Sequence, residues 1–359
     1  MKDRISGTAK QVCGLDLGDR TISLCLCTGE GEVLEQGRVR TTAPSLARRF
    51  QAAEPMRIAL EVGTHSPWVS RLLRQWGHEV IVANPRKVKL IGNSRRKNDR
   101  IDARTLADLA SVRPRLLHPV EHISAEAQAD RVVLRSRDAL VRARSGLISH
   151  VRGVVKAQGE RVVLCSAEAF ANRALASLPP VLVAVLKPTL ELLGELNEKI
   201  RGYNHQIERL IRERYPQVQR LTQVKGVGPI TGLAFVLTLG DPTRFAKSRT
   251  VGAYLGLVPA LRDSCKSEPQ LRISKEGDPY VRRLLVQCAH YILGPFGEDS
   301  DLRRMGQRLM VNGGKNARKR ARVAVARKLS VLLHRLWVSG LKYQPLYQSV
   351  AQVSVPMAA

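Results

Sequence analysis

The sequence predicts an α/β domain followed by mainly helical material, an α/β plus α fold. Alternating apolar runs fill residues 11–40. Strand-like and helix-like stretches then take turns between residues 57 and 111, and aliphatic residues recur at heptad spacing between about 124 and 216. Strands first in a meander, then alternating with helices, describe a mixed sheet with helices packed on it.

Residues 11–29 read QVCGLDLGDRTISLCLCTG, two β-rich runs hinged at Gly18-Asp19-Arg20, and Glu32 to Arg40 continues as a third after Gly29-Glu30-Gly31. These predict three antiparallel strands. A polar helix is expected near Ala43 to Ala53, then a strand over RIALEVG (57–63), a helix over SPWVSRLLRQW (66–76), a strand over HEVIVANP (78–85) and helix from Arg86 to about Ser111. Val133, Leu140, Leu147 and Val154 form one heptad series; Leu193, Ile200, Ile207 and Leu196, Tyr203, Leu210 form two more. They predict two long helices packed on each other or on a second subunit, with the turn at Leu178-Pro179-Pro180. From Val218 onward short helices and loops alternate, and helices are expected over PYVRRLLVQCAHYILG and GGKNARKRARVAVARKLSVLLHRLWVSG. The tail beyond Gln348 is expected to fray.

At 359 residues and 44% hydrophobic, the chain can bury real cores and is not a disordered basic tail. Its 59 Lys and Arg against 31 Asp and Glu give a net charge of +28, which calls for a polyanionic partner. Nucleic acid leads. No apolar run approaches the roughly 20 residues of a spanning helix, and the N-terminus lacks a signal-like apolar stretch, so a soluble intracellular protein is expected. The six cysteines show no CxxC spacing; Cys25 and Cys27 read as small core residues on one face of a strand. Between Lys315 and Lys328 there are seven Lys and Arg and no acid, among them Arg318, Lys319, Arg320 and Arg322, so one helix face meets phosphate while the other packs.

Two acids interrupt apolar strands: Asp16 in GLDLG and Glu61 in ALEVG. A carboxylate there is costly unless it is paired or binds metal. Asp99 and Asp102 in RRKNDRIDAR lie three apart, on one side of a helix, where ion pairs with Arg95, Arg96 or Arg100 are the plain explanation. Taken together, the order strand-Asp, strand-Glu, helix-Asp-x-x-Asp resembles that of an RNase H-like, RuvC-type resolvase site. Convergent carboxylates make sense chiefly around a divalent cation, Mg²⁺ or Mn²⁺. GLDLGDRTIS also looks like the phosphate hairpin of sugar kinases and actin-like ATPases, but the later Lys225-Gly226-Val227-Gly228-Pro229 lacks the strand and Asp that family needs. LTQVKGVGPITGL (221–233) instead resembles a helix-hairpin-helix, whose Gly226 and Gly228 turn offers backbone N–H groups to phosphate beside Lys225. Ser264 lies in a polar loop near Arg262, Lys266, Arg272 and Lys275, with Ser267 and Ser274 equally available on spacing alone and no adjacent His as base.

The combination GLDLG, ALEVGTHS, ANPRKVK, KNDRIDARTLADL, VKGVGPITGLAFVLTLGDPTRFAKSRTVGAYLGLVP, RISKEGDPYVRRLL and GGKNARKRARVAVARKL resembles the transposases of the insertion sequence 110 family, from about Val12 to Trp337. The resemblance implies a RuvC-like catalytic domain over 1–118, a coiled-coil region over 119–217, a mainly helical transposase domain over 218–345 and a tail over 346–359. It implies that Asp16, Glu61, Asp99 and Asp102 hold Mg²⁺ and that Ser264, five residues after Pro259, is a nucleophile forming a covalent phosphoserine link to a cleaved strand. The family commonly has Ser-Gly where this chain has Ser264-Cys265, which leaves Ser267 as a fallback. It further implies donor and target DNA as substrates, a noncoding guide RNA, a homo-oligomer, no membrane, and a cytoplasmic, nucleoid-associated bacterial protein. A metal-dependent resolvase without serine chemistry and a catalytically silent nucleic-acid binder are the alternatives.

Overall fold

The computed structural model describes residues 10–85, 98–260, 271–311 and 314–347. The chain divides into two compact units, one ending at Ala125 and one beginning at Glu126. In the first, β1 (Gln11–Leu17), β2 (Thr21–Thr28), β3 (Val33–Arg40), β4 (Arg57–Glu61) and β5 (Glu79–Ala83) form one sheet in the order β3-β2-β1-β4-β5. β1 to β3 are antiparallel, whereas β4 pairs parallel to both β1 and β5. The expected meander and α/β alternation are both present. Between the strands lie α1 (Ala43–Leu46), continued by a π-helical turn over Ala47–Gln51, then α2 (Ser66–Gln75) and α3 (Asp99–Val112). Of the helix expected from Arg86, residues 86–97 lie outside the described residues.

The pleat sorts side chains by face. Cys13, Leu15, Ile22, Leu24, Ile58, Leu60, Val80 and Val82 pack on Leu46, Phe50, Val69 and Leu73. The opposite face holds Val12, Ala59, Ile81 and Ala83 against Leu106 and Ala110 of α3, while Cys25 and Cys27 meet Ala103 and Ala107. Small residues on both sides bring α3 close. At Gly14 the approach is extreme: a Cβ there would stand 1.9 Å from the Ala103 carbonyl oxygen and 2.7 Å from the Ala107 nitrogen. Arg57, buried at the sheet's other end, donates to the Ala110 carbonyl at 3.2 Å and pairs with Glu79 at 3.0 Å, fastening the C-terminal end of α3. Cys13, Cys25, Cys27 and Cys288 are free, buried, small core residues, and burial pushes the Cys13 and Cys27 thiols up to about 12.

In the second unit, α4 (Ala125–Ala157) and α6 (Pro180–Glu213) form an antiparallel hairpin. The link between them holds a further helix, α5 (Phe170–Ser177), so the turn is longer than the Leu178-Pro179-Pro180 corner that the sequence suggests. Phe170, Ala174 and Leu178 fill the hairpin's end against Val151, Val155, Leu186 and Leu190. The rest of its seam carries polar pairs. Asp130 takes Arg214 and Tyr215, Arg137 donates to Asn204 at 2.6 Å, and Arg144 donates to Asn197 at 2.8 Å and Glu168 at 2.9 Å.

The rest of this unit is α7 (Val218–Leu221), α8 (Pro229–Leu239), α9 (Thr250–Tyr254), α10 (Pro279–Leu293), α11 (Asp301–Val311) and α12 (Ala317–Ser339). α8 is buried from Thr231 to Leu239 and forms the centre of a core with Leu285, Ala289, Val325, Leu329 and Leu333. Asp278 caps α10 through the Tyr280 N–H at 2.7 Å and receives Arg131 and Arg135 of α4, each at 2.6 Å. No helix among the described residues is long and apolar enough to cross a membrane.

Candidate active site

Asp16 falls one residue past Leu15 on β1, and Glu61 one residue past Leu60 on β4; Leu15 and Leu60 are the last paired residues of that parallel ladder. The two acids therefore emerge side by side at the C-terminal ends of neighbouring strands. Alternation places Asp16 with Val12 and Gly14, and Glu61 with Ala59, on the face that α3 covers. α3 runs antiparallel to β1: Ala110 and Leu106 lie over Val12, Ala103 lies over Gly14, and the first turn with Asp99 and Asp102 comes toward Asp16. Asn98 caps that helix by accepting from the Arg100 N–H at 3.1 Å. A helix N-terminus favours carboxylates by its dipole alone, which is the plain structural account of Asp99 and Asp102.

Electrostatics adds more. Burial pushes the half-buried Asp16 carboxyl above the ordinary carboxylate range, and the charges of Asp99 and then Asp102 push it the same way. Of the cations expected to pair with Asp99, Arg95 and Arg96 lie outside the described residues; the ion pair seen is with Arg38 of β3, loose at 4.0 Å and exposed. Among the described residues, no three His, Cys, Asp or Glu side chains already stand as a ready-formed ligand cluster. The donor set is nonetheless all carboxylate oxygen, of the kind a hard divalent cation takes, and the charge coupling at Asp16 is what such a cation would neutralise.

The turns around the acids are braced. Ser66 Oγ accepts the Gly63 N–H at 3.0 Å, donates to the Gly63 carbonyl at 2.9 Å and meets His122 Nε2 at 2.9 Å, fixing the exit from Glu61. His65 reaches Asp19 at 3.4 Å and accepts from Trp68 at 3.1 Å. None of these bracing residues stands out by spacing; only ALEVGTHS as a block hints at them.

In the second unit, Ser264, its fallback Ser267, and Arg262, Cys265 and Lys266 lie outside the described residues. The backbone on either side is joined by a bridge between Pro259 and Ile273, with Ala260 N–H to Arg272 O at 2.9 Å and Ser274 N–H to Val258 O at 2.8 Å. Arg272 and Lys275 are exposed beside it. α7, a turn with Gly226 at φ +92° and α8 follow the expected helix-hairpin-helix order, and Gly228 is the N-cap residue of α8. Lys225 pairs with Glu298 at 3.2 Å on the surface. On α12, Arg318, Lys319 and Arg320 are exposed and Arg322 is partly buried; the side chain of Lys315 is outside the description. The packed face of this helix is Ala317, Ala321, Val325, Leu329 and Leu333.

Comparison with known proteins agrees with this layout. A transposase family model named for its DEDD acids and for IS110 matches residues 13–158, and the model described as "Transposase IS116/IS110/IS902 family" matches residues 218–297. A probable family 20 transposase of Pseudomonas aeruginosa is 33% identical over 71% of this chain and 76% of its own. The transposase for insertion sequence element IS1328 of Yersinia enterocolitica is 31% identical over 77% of this chain and 82% of its own. That for IS1111A of Coxiella burnetii is 26% identical over 89% and 87%. Two models in the chain order expected, together with relatives that share most of its length, show that the chain belongs to the insertion sequence 110 family of transposases, enzymes that act on DNA.

Proposed function

We propose that this transposase cuts and exchanges DNA strands with Asp16, Glu61, Asp99 and Asp102 as metal-binding acids and Ser264 as nucleophile. The observation that carries the reading is the coupling of Asp16 to Asp99 and Asp102, beside a parallel ladder whose register sets Glu61 next to Asp16. The strand order β3-β2-β1-β4-β5 supports an RNase H-like, RuvC-type domain over residues 1–118; a coiled-coil region over 119–217 and a transposase domain over 218–345 complete the proposal.

A divalent cation, Mg²⁺ or Mn²⁺, would supply positive charge at the phosphoryl oxygens and help a hydroxyl ionise. The chain's own residues do the rest. The Ser264 oxygen forms a bond to phosphorus as the bond from phosphorus to a deoxyribose oxygen breaks; the serine proton leaves to a base and the departing oxygen takes one up. Arg272 and Lys275, exposed beside the loop that carries the serine, offer charge to the phosphate. The excess of 28 positive charges supports contact with nucleic acid; the proposal takes this to be donor and target DNA together with a noncoding guide RNA. Assembly as a homo-oligomer is part of the same proposal.

A cleavage assay with a denaturing gel for protein–DNA adducts tests it. Wild type with Mg²⁺, cognate DNA and guide RNA is expected to form an adduct that Ser264→Ala does not. An adduct in Ser264→Ala would overturn the nucleophile. Cleavage without any adduct would favour a metal-dependent resolvase in which the serine is a bystander. Equal Mg²⁺ affinity of wild type and a double Asp99→Asn, Asp102→Asn variant would sink the metal site and leave a silent binder.

A further inference from the structure

The segment DPTRFAKSRT (241–250), which links α8 to α9, has no part in the site described so far. It carries Arg244, Lys247 and Arg249, all exposed, and no acid occurs from Pro242 to Ala260. Its one acid, Asp241, is occupied locally: the carboxylate accepts the Thr243 N–H at 2.8 Å and the Thr243 hydroxyl at 2.7 Å. Arg244 is stacked. Its guanidinium carbon lies 4.9 Å from the Phe245 ring centroid and 4.6 Å from that of Tyr254, and the two rings meet edge to face at 5.3 Å.

This group stands on a rigid base. Phe245 packs edge-on against His334 at 5.5 Å, and His334, 2% exposed, is held at both ring nitrogens by Ser248 Oγ at 2.9 Å and the Pro242 carbonyl at 3.0 Å. The Tyr254 hydroxyl donates to the Thr238 carbonyl at 3.4 Å. Close by, Gly252 abuts the stem of Arg327, so the segment runs on into the basic side of α12. A purely structural stack would bury its aromatic ring. Tyr254 is 37% exposed, and Arg244 makes no salt bridge among the described residues.

We infer that Arg244 and Tyr254, backed by Phe245, form a stacking platform for an unpaired nucleobase of a nucleic-acid strand, with Lys247 and Arg249 placed to meet the adjoining phosphates. An exposed ring beside a guanidinium plane, within a stretch of one charge sign, fits a single strand better than a duplex, whose bases are already stacked. The inference rests on the reading of the chain as a nucleic-acid enzyme and adds where an unpaired strand lies.

The test is binding of the full-length chain to a fluorescent single-stranded DNA of mixed sequence, to the same sequence as blunt duplex, and to the same sequence as single-stranded RNA. Tyr254→Leu and Arg244→Gln are expected to weaken single-strand binding by about tenfold, the scale of removing one base from its stack. Duplex binding should stay within about twofold, because phosphate contacts dominate there. Tyr254→Phe keeps the ring and should bind as wild type, which separates stacking from loss of fold. The arm with the larger loss, DNA or RNA, identifies the strand. Wild-type affinity in Tyr254→Leu, or equal losses on single strand and duplex, would overturn the platform alone; failure of the wild-type chain to bind any of the three would remove the nucleic-acid reading as well.

Discussion

Gly14 lies directly beneath Ala103: a Cβ at position 14 would fall 1.9 Å from the Ala103 carbonyl oxygen. The glycine of GLDLG is thus the seat on which α3 rests, one turn below its two acids and two residues before Asp16. Gly14→Ala should push α3 off the sheet, because the atoms it meets are backbone and no truncation at Ala103 can relieve them. The expected cost is about 1–3 kcal/mol of stability, with DNA cleavage abolished. A denaturant melt and a cleavage assay check it; a stable, fully active Gly14→Ala would show that the seating of the helix does not set the site.

The acids in their apolar strands could be read directly, because a charge at an inward position of a period-two pattern has few explanations. The close seat of α3 could not, since a glycine in a strand does not announce which backbone will lie against it. The hairpin shows the same limit. The heptad of Val133, Leu140, Leu147 and Val154 stands out by hydrophobicity, yet those residues are only partly buried. The seam one step away runs through Asp130, Arg137, Arg144 and Val151, and its polar members find partners on α6 or just past its end, some 50 to 85 residues distant in the chain. A single-helix pattern cannot see a buried charge whose partner is on another helix. The Arg244 stack was hidden likewise: Arg-Phe is visible in the sequence, but Tyr254 joins it only through the fold.

Asp16→Asn should stabilise the protein while abolishing cleavage. The folded carboxyl is raised by burial and by Asp99 and Asp102. An acid whose folded value lies above its unfolded value costs stability once pH climbs through that range, and costs nothing below it. The variant should therefore melt higher than wild type at neutral pH, and the gap should close as pH falls below the ordinary carboxylate range. Mg²⁺ should raise the melting temperature of wild type and not of the variant. A gap that stays constant with pH would contradict the like-charge account.

Arg144 is buried, with Asn197 and Glu168 on its guanidinium and its Nε without a hydrogen-bond partner among the described residues. Asn197→Leu should cost about 1–3 kcal/mol, because it strips a buried donor of its acceptor. Adding Arg144→Met should recover most of that stability, since a well-packed apolar pair avoids the desolvation of the guanidinium. Urea melts of the two single variants and the double variant form the cycle that checks this. A double variant less stable than Asn197→Leu would mean that the arginine's packing and its pairing with Glu168 outweigh its desolvation.

On α12, the buried stripe Ala317, Ala321, Val325, Leu329 and Leu333 leaves Arg318 and Lys319 facing outward. A solvated helix face usually mixes signs; here there is no acid from Lys315 to Lys328. If these side chains neutralise phosphates, each one removed should release one fewer counterion on binding. Arg318→Ala with Lys319→Ala should therefore weaken DNA binding about equally across sequences and flatten the slope of log affinity against log salt by about 1 for each phosphate no longer neutralised. The melting temperature should barely move, since neither side chain belongs to the packed stripe. An unchanged salt slope would assign the basic face of α12 to solvent and shift the search for the DNA track to Lys247, Arg249 and the turn at Gly226, where backbone N–H groups rather than long side chains would meet the phosphates.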